Sequence, residues 1–468
     1  MVSSFARILV RAGDCTPIYS AAMSSSGDAE FLIEPRWLLP VAPGNTVLEG
    51  QAVAVGGGRI LAVGPAAELR QRFATHTRIV RERHALLPGL VNAHTRACHT
   101  LLRGVAVRGP RLRWLAETLA PLERRALSAD LVRDGTRFGV AEMLHAGITC
   151  YADESPLPEE AARVAATAQV RALIGLPISD SADAWAEDAN AHLAKAEALW
   201  DEYRSDARIG LYFAPQPARG LSAATLMRLR RVADELDARV VIHAQELRDD
   251  SWTAADALHG VADGAMPPRQ APGTQRLAYL QTLGLLRPGF AAIGALGCGA
   301  EDIQLLARHG AALIACPQAE LRLQGATPVL PGLRPAGLGT DTPAAAGALD
   351  MLAEARSAAL LFGLTPLETL RLATLGGATA LGLAAQIGSI EPGKSADLTC
   401  LDLKEPGCQP VMDAAASIVF GATRAQVTDV WSCGRAALSE GRLRLFDEAE
   451  LAALAAQWTR RLALEAAA

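Results

Sequence analysis

Eight short apolar runs separated by amphipathic helical stretches alternate through the middle of this chain, and that alternation restricts what it can fold into. The runs are Leu86 to Arg96, Gly147 to Asp153, Arg171 to Ser179, Arg208 to Gln216, Arg239 to Glu246, Phe290 to Gly297, Ala312 to Gln318 and Gly337 to Pro343. Between them lie helical patterns such as Ala129 to His145, Ala184 to Tyr203, Ala223 to Leu236 and Glu301 to His309. Strands that alternate with helices pair in parallel, because each helix carries the chain back across the sheet. Eight such units predict an α/β fold, a (β/α)8 TIM barrel, whose chemistry sits at the C-terminal ends of its strands.

The ends of the chain read differently. Phe31 to Val80 alternates short strands with turns such as Val63-Gly64-Pro65 and the cluster Gly56-Gly57-Gly58. Asp397 to Leu401 and Val427 to Trp431 read as strands again, with turns at Glu391-Pro392-Gly393-Lys394 and Cys433-Gly434-Arg435. Two strand-rich ends predict one small β-sandwich built from both termini, residues 30–85 and 381–468, the second part carrying a C-terminal helix. The barrel then spans 86–380. Residues 1–29 read as a loose extension, since Arg7, Arg11 and Asp14 interrupt any signal-like apolar stretch.

Composition narrows the function. With 45 Lys and Arg against 50 Asp and Glu, the net charge of -5 offers no electrostatic case for nucleic acid or an anionic membrane. The eight cysteines are scattered without a C-x-x-C pair, so no zinc knuckle or redox motif is present and a reducing cytoplasm is expected.

At the strand ends stand His94 and Arg96, Asp153, Gln216, His243 and Glu246, Gln318 and Asp341. His94, His243 and Asp341 make a two-histidine, one-carboxylate set of the kind that binds a divalent metal, with zinc the first choice. Glu246 is placed to act as acid/base, and Asp153 and Gln318 as pocket-lining groups. The other histidines read as structural: His99 and His145 in or near helices, His76, His84, His192, His259 and His309 in loops or at helix ends.

Several segments carry a resemblance. They are Leu87-Pro88-Gly89-Leu90-Val91-Asn92-Ala93-His94-Thr95 with Thr100-Leu101-Leu102-Arg103-Gly104, then His243-Ala244-Gln245-Glu246, Leu338-Gly339-Thr340-Asp341, and the tail Gly388 to Leu398. Together they resemble the amidohydrolase superfamily, in particular its branch of metal-dependent deaminases and chlorohydrolases acting on thioadenosines, S-adenosylhomocysteine, guanine-like rings and triazines. The resemblance implies His94, His243 and Asp341 as metal ligands, Glu246 as proton carrier and a small heterocycle as substrate. It also implies a homodimer, or a pair with an active paralogue.

Three positions depart from the resemblance. Arg96 stands where the pattern has a second first-strand histidine, Gly294 where it has the sixth-strand histidine, and Gln216 where relatives carry histidine after proline. Cys316-Pro317-Gln318-Ala319-Glu320 replaces an Asn-containing stretch, and the Pro-rich stretch from Gln324 to Pro335 looks shortened. A guanidinium near 4 Å from a divalent ion costs about 8 kcal/mol at an effective dielectric of 20. Two expectations follow. In one, Arg96 lies between Asp341 and Glu246 as a stand-in for the ion, and hydrolysis of C–N or C–Cl bonds is impaired or lost. In the other, Arg96 swings outward, and His94, His243 and Asp341 hold a metal for an active hydrolase.

Overall fold

The protein is described from a computed structural model, which places residues 29–467 apart from 74, 76, 106, 108–110, 217–220, 245–273 and 325–331. Glu246, His76, His259, residues 1–28 of the extension and residues 325–331 of the Pro-rich stretch therefore lie outside the described residues.

Eight parallel strands form the barrel: Leu90–Thr95, Ile148–Asp153, Arg171–Ile178, Ile209–Pro215, Arg239–His243, Phe290–Ile293, Ala312–Ala315 and Gly337–Leu338. Each pairs with its sequence neighbour. The ring closes through a parallel bridge between Thr95 and Asp341. Closure depends on a bare backbone at Gly339, where a Cβ would stand 2.6 Å from the His94 carbonyl oxygen. That carbonyl instead accepts from the Thr340 and Asp341 amides at 2.9 and 3.0 Å. Asn92 completes the seam, its side chain bonding the Thr340 hydroxyl at 2.8 Å and the Thr340 amide at 3.0 Å.

The first run divides in two. Leu86 to Pro88 belong to a long strand of the second sheet, Arg78–Pro88, and the barrel strand starts at Leu90. Gly89 makes the corner: a Cβ there would lie 2.0 Å from the Thr149 hydroxyl oxygen, so only glycine lets the two strands meet so closely. The last run is also shorter than its apolar pattern: strand pairing stops at Leu338, and Asp341, at φ +52°, keeps a single bridge to Thr95. The helices Ala129–His145, Ala189–Tyr203, Ala223–Glu235 and Ala300–Arg308 follow the predicted periodicity. Ser128, Asp188 and Ser222 cap the first three with side-chain oxygens, which is why those helices start where they do.

Among the described residues, nine strands from both ends of the chain form the second sheet. Arg78–Pro88 joins its two parts, pairing in parallel with Phe31–Leu38 and antiparallel with Leu398–Asp402. Among the described residues, no helix is long and apolar enough to cross a membrane.

Glu34 in the strand Phe31–Leu38 is 6% exposed and takes both Arg70 and Arg78. The Arg70 bond opposes burial and, with Arg78, holds its carboxyl down at about 2. A carboxyl depressed on folding stabilises above its unfolded pKa and loses that contribution as pH falls through the folded value. Both arginines are about half exposed, so solvent screening reduces the gain to about 1–3 kcal/mol. Glu34→Gln is therefore expected to lower the unfolding midpoint at pH 7 and to leave it unchanged near pH 2. Equal losses at both pH values would refute this.

Candidate functional site

The mouth of the barrel gathers His94, Arg96, Gln216 and His243 around one buried carboxylate, Glu154, that carries no motif in the sequence. Glu154 follows the second strand, its amide bonded to the Thr95 carbonyl at 2.9 Å, and it is 4% exposed. Its carboxylate lies 3.1 Å from His243 Nε2 and 3.8 Å from His94 Nδ1. Gln216 donates to it at 2.5 Å and Arg96 at 3.5 Å, while Arg96 also donates to the Gln216 amide oxygen at 3.3 Å. Burial pushes the Glu154 carboxyl up, but His243, His94 and Arg96 outweigh it and hold it at about 2.

Asp341 lies beside this group. His94 Nε2 is 3.5 Å from its Oδ1, and the Thr342 amide donates to the same oxygen at 2.8 Å. Its other oxygen accepts from Arg111 Nη1. Burial raises this carboxyl too, yet Arg111 and His94 bring it well below the usual range. Arg111 comes from the short helix Arg111–Trp114 and is 6% exposed. Its Nη2 stands 3.3 Å from His243 Nδ1. A guanidinium can only donate, so Nδ1 accepts and the proton of that ring sits on Nε2, facing Glu154. Both His243 nitrogens are thereby engaged.

The expected position of Arg96 is thus corrected. It points inward, to Glu154 and Gln216 and not outward, while the Glu246 half of the expectation lies outside the described residues. The cation against Asp341 is Arg111, which carries no motif in the sequence. Asp153 has a bracing contact: its Oδ1 accepts the Ala97 amide at 2.6 Å and ties down the turn after the first strand. Burial raises its carboxyl to about 7. Gln318 lies in the first turn of the helix Pro317–Gln324, its amide donating to Glu354 at 3.0 Å, and not at a strand end, because Pro317 opens that helix.

Gly294 adopts φ +106° at the end of the sixth strand. The buried carboxylate of Glu320 takes the Ala295 and Leu296 amides there, and the Cys316 amide just past the seventh strand, at 2.6 to 3.3 Å. The departure at this position is therefore one of backbone as well as side chain, since a histidine would have to enter a left-handed conformation. His99, read as structural, links Thr342 at 2.8 Å to Glu123 at 2.7 Å.

The donor set can be tested against a divalent ion. His94 keeps both nitrogens without a hydrogen-bond partner, and one ligand atom each from His94, Glu154 and His243 lies within 4.8 Å of the others. Against this, Asp341 and His243 share one guanidinium, and Glu154 carries a second. Two carboxylates are matched by two permanent cations before any ion enters. An ion joining His94, His243 and Asp341 would meet Arg111 at both of the last two, so that set as arranged does not fit it, while His94, Glu154 and His243 keep donor atoms grouped as a divalent ion requires.

Comparison with known proteins agrees with the architecture. The pattern of the "Amidohydrolase family" matches residues 85–437, and that of "Imidazolonepropionase-like composite domain, bacteria" matches residues 52–74. A 5-methylthioadenosine/S-adenosylhomocysteine deaminase of Teredinibacter turnerae is 32% identical over 94% of this chain and 99% of its own length. Its counterpart in Nitratidesulfovibrio vulgaris is 33% identical over 89% and 94%. The crystal structure of a zinc-bound adenosine deaminase from Xanthomonas campestris superposes with a TM-score of 0.84 at 36% identity, covering 93% of this chain and 99% of that one. The zinc complex of the Arthrobacter aurescens atrazine chlorohydrolase shares the fold at a TM-score of 0.75 and 20% identity, covering 92% and 99%. A barrel with His94, His243 and Asp341 at its mouth, matched by this pattern over most of its length, belongs to the amidohydrolase family.

Proposed function

We propose that this chain binds a small nitrogen heterocycle of the nucleoside kind in the barrel mouth, and that metal-dependent hydrolysis of its C–N bond is lost or strongly slowed. The first half rests on the likeness to deaminases named for methylthioadenosine, S-adenosylhomocysteine and adenosine. The second rests on one observation: Glu154 and Asp341, the two carboxylates that face His94 and His243, each already carry a guanidinium. An ion that would lower the pKa of a water meets repulsion there, and the sixth strand brings no imidazole to share the proton work. One missing acid–base partner alone typically costs about 10² to 10⁴ in rate. A homodimer, or a pair with an active paralogue, completes the reading by the same resemblance.

A second reading keeps the metal and the activity, with His94, Glu154 and His243 holding the ion. The unpartnered nitrogens of His94 and the free Oε1 of Glu154 favour it. One experiment separates the two. The purified chain, with and without added zinc, is given methylthioadenosine, S-adenosylhomocysteine and adenosine, with binding followed by calorimetry and ammonia release by a coupled assay. Saturable binding with ammonia release at least about 10²-fold below that of the deaminase relatives is expected. Zinc-dependent release at the relatives' rate would establish the second reading.

A further inference from the structure

We infer that Arg111 is a tethered cation standing in the metal position of a latent zinc site, so that replacing this one side chain lets His94, His243 and Asp341 hold an ion. The inference rests on the charge-balanced reading above and names the residue responsible.

Its basis is the double engagement of one guanidinium. Arg111 reaches the eighth-strand carboxylate through Nη1 and the fifth-strand imidazole through Nη2. Those are two of the three side chains that the sequence selects as a ligand set, and a planar fork of donors suits a carboxylate and an imidazole nitrogen together. The pose is held by the segment that bears it. Trp114, Leu119 and Ala126 of this segment are buried, at 1%, 0% and 1% exposure. Glu123, further along, is tied through His99 to Thr342, the residue after Asp341. Arg111 therefore enters the mouth from a segment anchored to the turn it neutralises. The third side chain, His94, is buried with neither nitrogen hydrogen-bonded, each facing a carboxylate at 3.8 Å (Glu154) and 3.5 Å (Asp341).

Removing the guanidinium leaves Asp341 buried without its cation and returns Nδ1 of His243 to use as a ligand. A divalent ion then replaces a repulsion with an attraction. Zinc affinity is measured by competition with a chromogenic chelator for the full-length wild type, Arg111→Met and Arg111→Lys. The methionine variant keeps the volume and is expected to bind one zinc per chain at least about 100-fold more tightly than wild type. The lysine variant keeps the charge and is expected to stay near wild type. His243→Ala in the methionine background is expected to abolish the gain.

Wild type binding zinc as tightly as the methionine variant, or a gain that survives His243→Ala, would overturn the inference. If Arg111→Met does not fold, judged by far-ultraviolet circular dichroism, Arg111→Gln takes its place under the same comparison. An inactive wild type whose Arg111 variants gain no zinc would refute the inference while leaving the proposed loss of hydrolysis standing.

Discussion

Asp341→Asn is expected to destabilise the protein by about 3–5 kcal/mol, the usual cost of stripping one partner from a buried ion pair. Arg111 is only 6% exposed, and its nearest anion is this carboxylate. Asparagine is the informative replacement because it tolerates the left-handed φ of +52° found here, so the loss reports charge and not backbone strain. Arg111→Met in the Asp341→Asn background should restore most of the loss, since the double variant buries neither charge. Urea unfolding of wild type, both single variants and the double variant gives the coupling directly. Losses that simply add would mean that the two side chains do not depend on each other.

The second large effect lies at the opposite end of the barrel. Arg171 opens the third strand, is 5% exposed, and reaches across to the second sheet. It lies 3.7 Å from Asp397 and donates to Ser395 Oγ, Cys433 Sγ, Gln386 Oε1 and the Ala207 carbonyl at 3.1 to 3.4 Å. Burial raises the Asp397 carboxyl even with Arg171 beside it, so the carboxylate depends on this partner. Arg171→Met is expected to cost about 3–5 kcal/mol, because it leaves a buried carboxyl and several buried acceptors without donors. The cost should fall on the joint between barrel and sheet, detectable as faster amide exchange in Leu398–Asp402 and Val427–Ser432. A loss below about 1 kcal/mol with unchanged exchange would rule out this role.

The tail motif that carried part of the family resemblance thus has a plain physical content. Gly393 offers its carbonyl to Arg59, the Ala396 amide bonds the Gly58 carbonyl, and Asp397 meets Arg171. These contacts weld the two strand-rich ends to each other and to the barrel floor. Their readability follows from local chemistry, since a turn of the Pro-Gly-Lys kind announces itself within a few residues.

The same distinction runs through the whole molecule. The eight strand–helix units, the two-ended second sheet and the strand-end positions of His94, His243 and Asp341 were legible because period, caps and turns act over a few residues. What the mouth does with those residues was not. Glu154 follows the last strand residue, Asp153, so alternation no longer tells to which side its carboxyl turns. Arg96 and Arg111 could have faced solvent as readily as the barrel by any local rule. Their direction was decided by carboxylates brought close only when the ring closes, Glu154 at 58 residues' separation and Asp341 at 230. A long flexible cation carries little information about where it will point. It goes where burial leaves an anion in need of it, and only the tertiary structure creates that need.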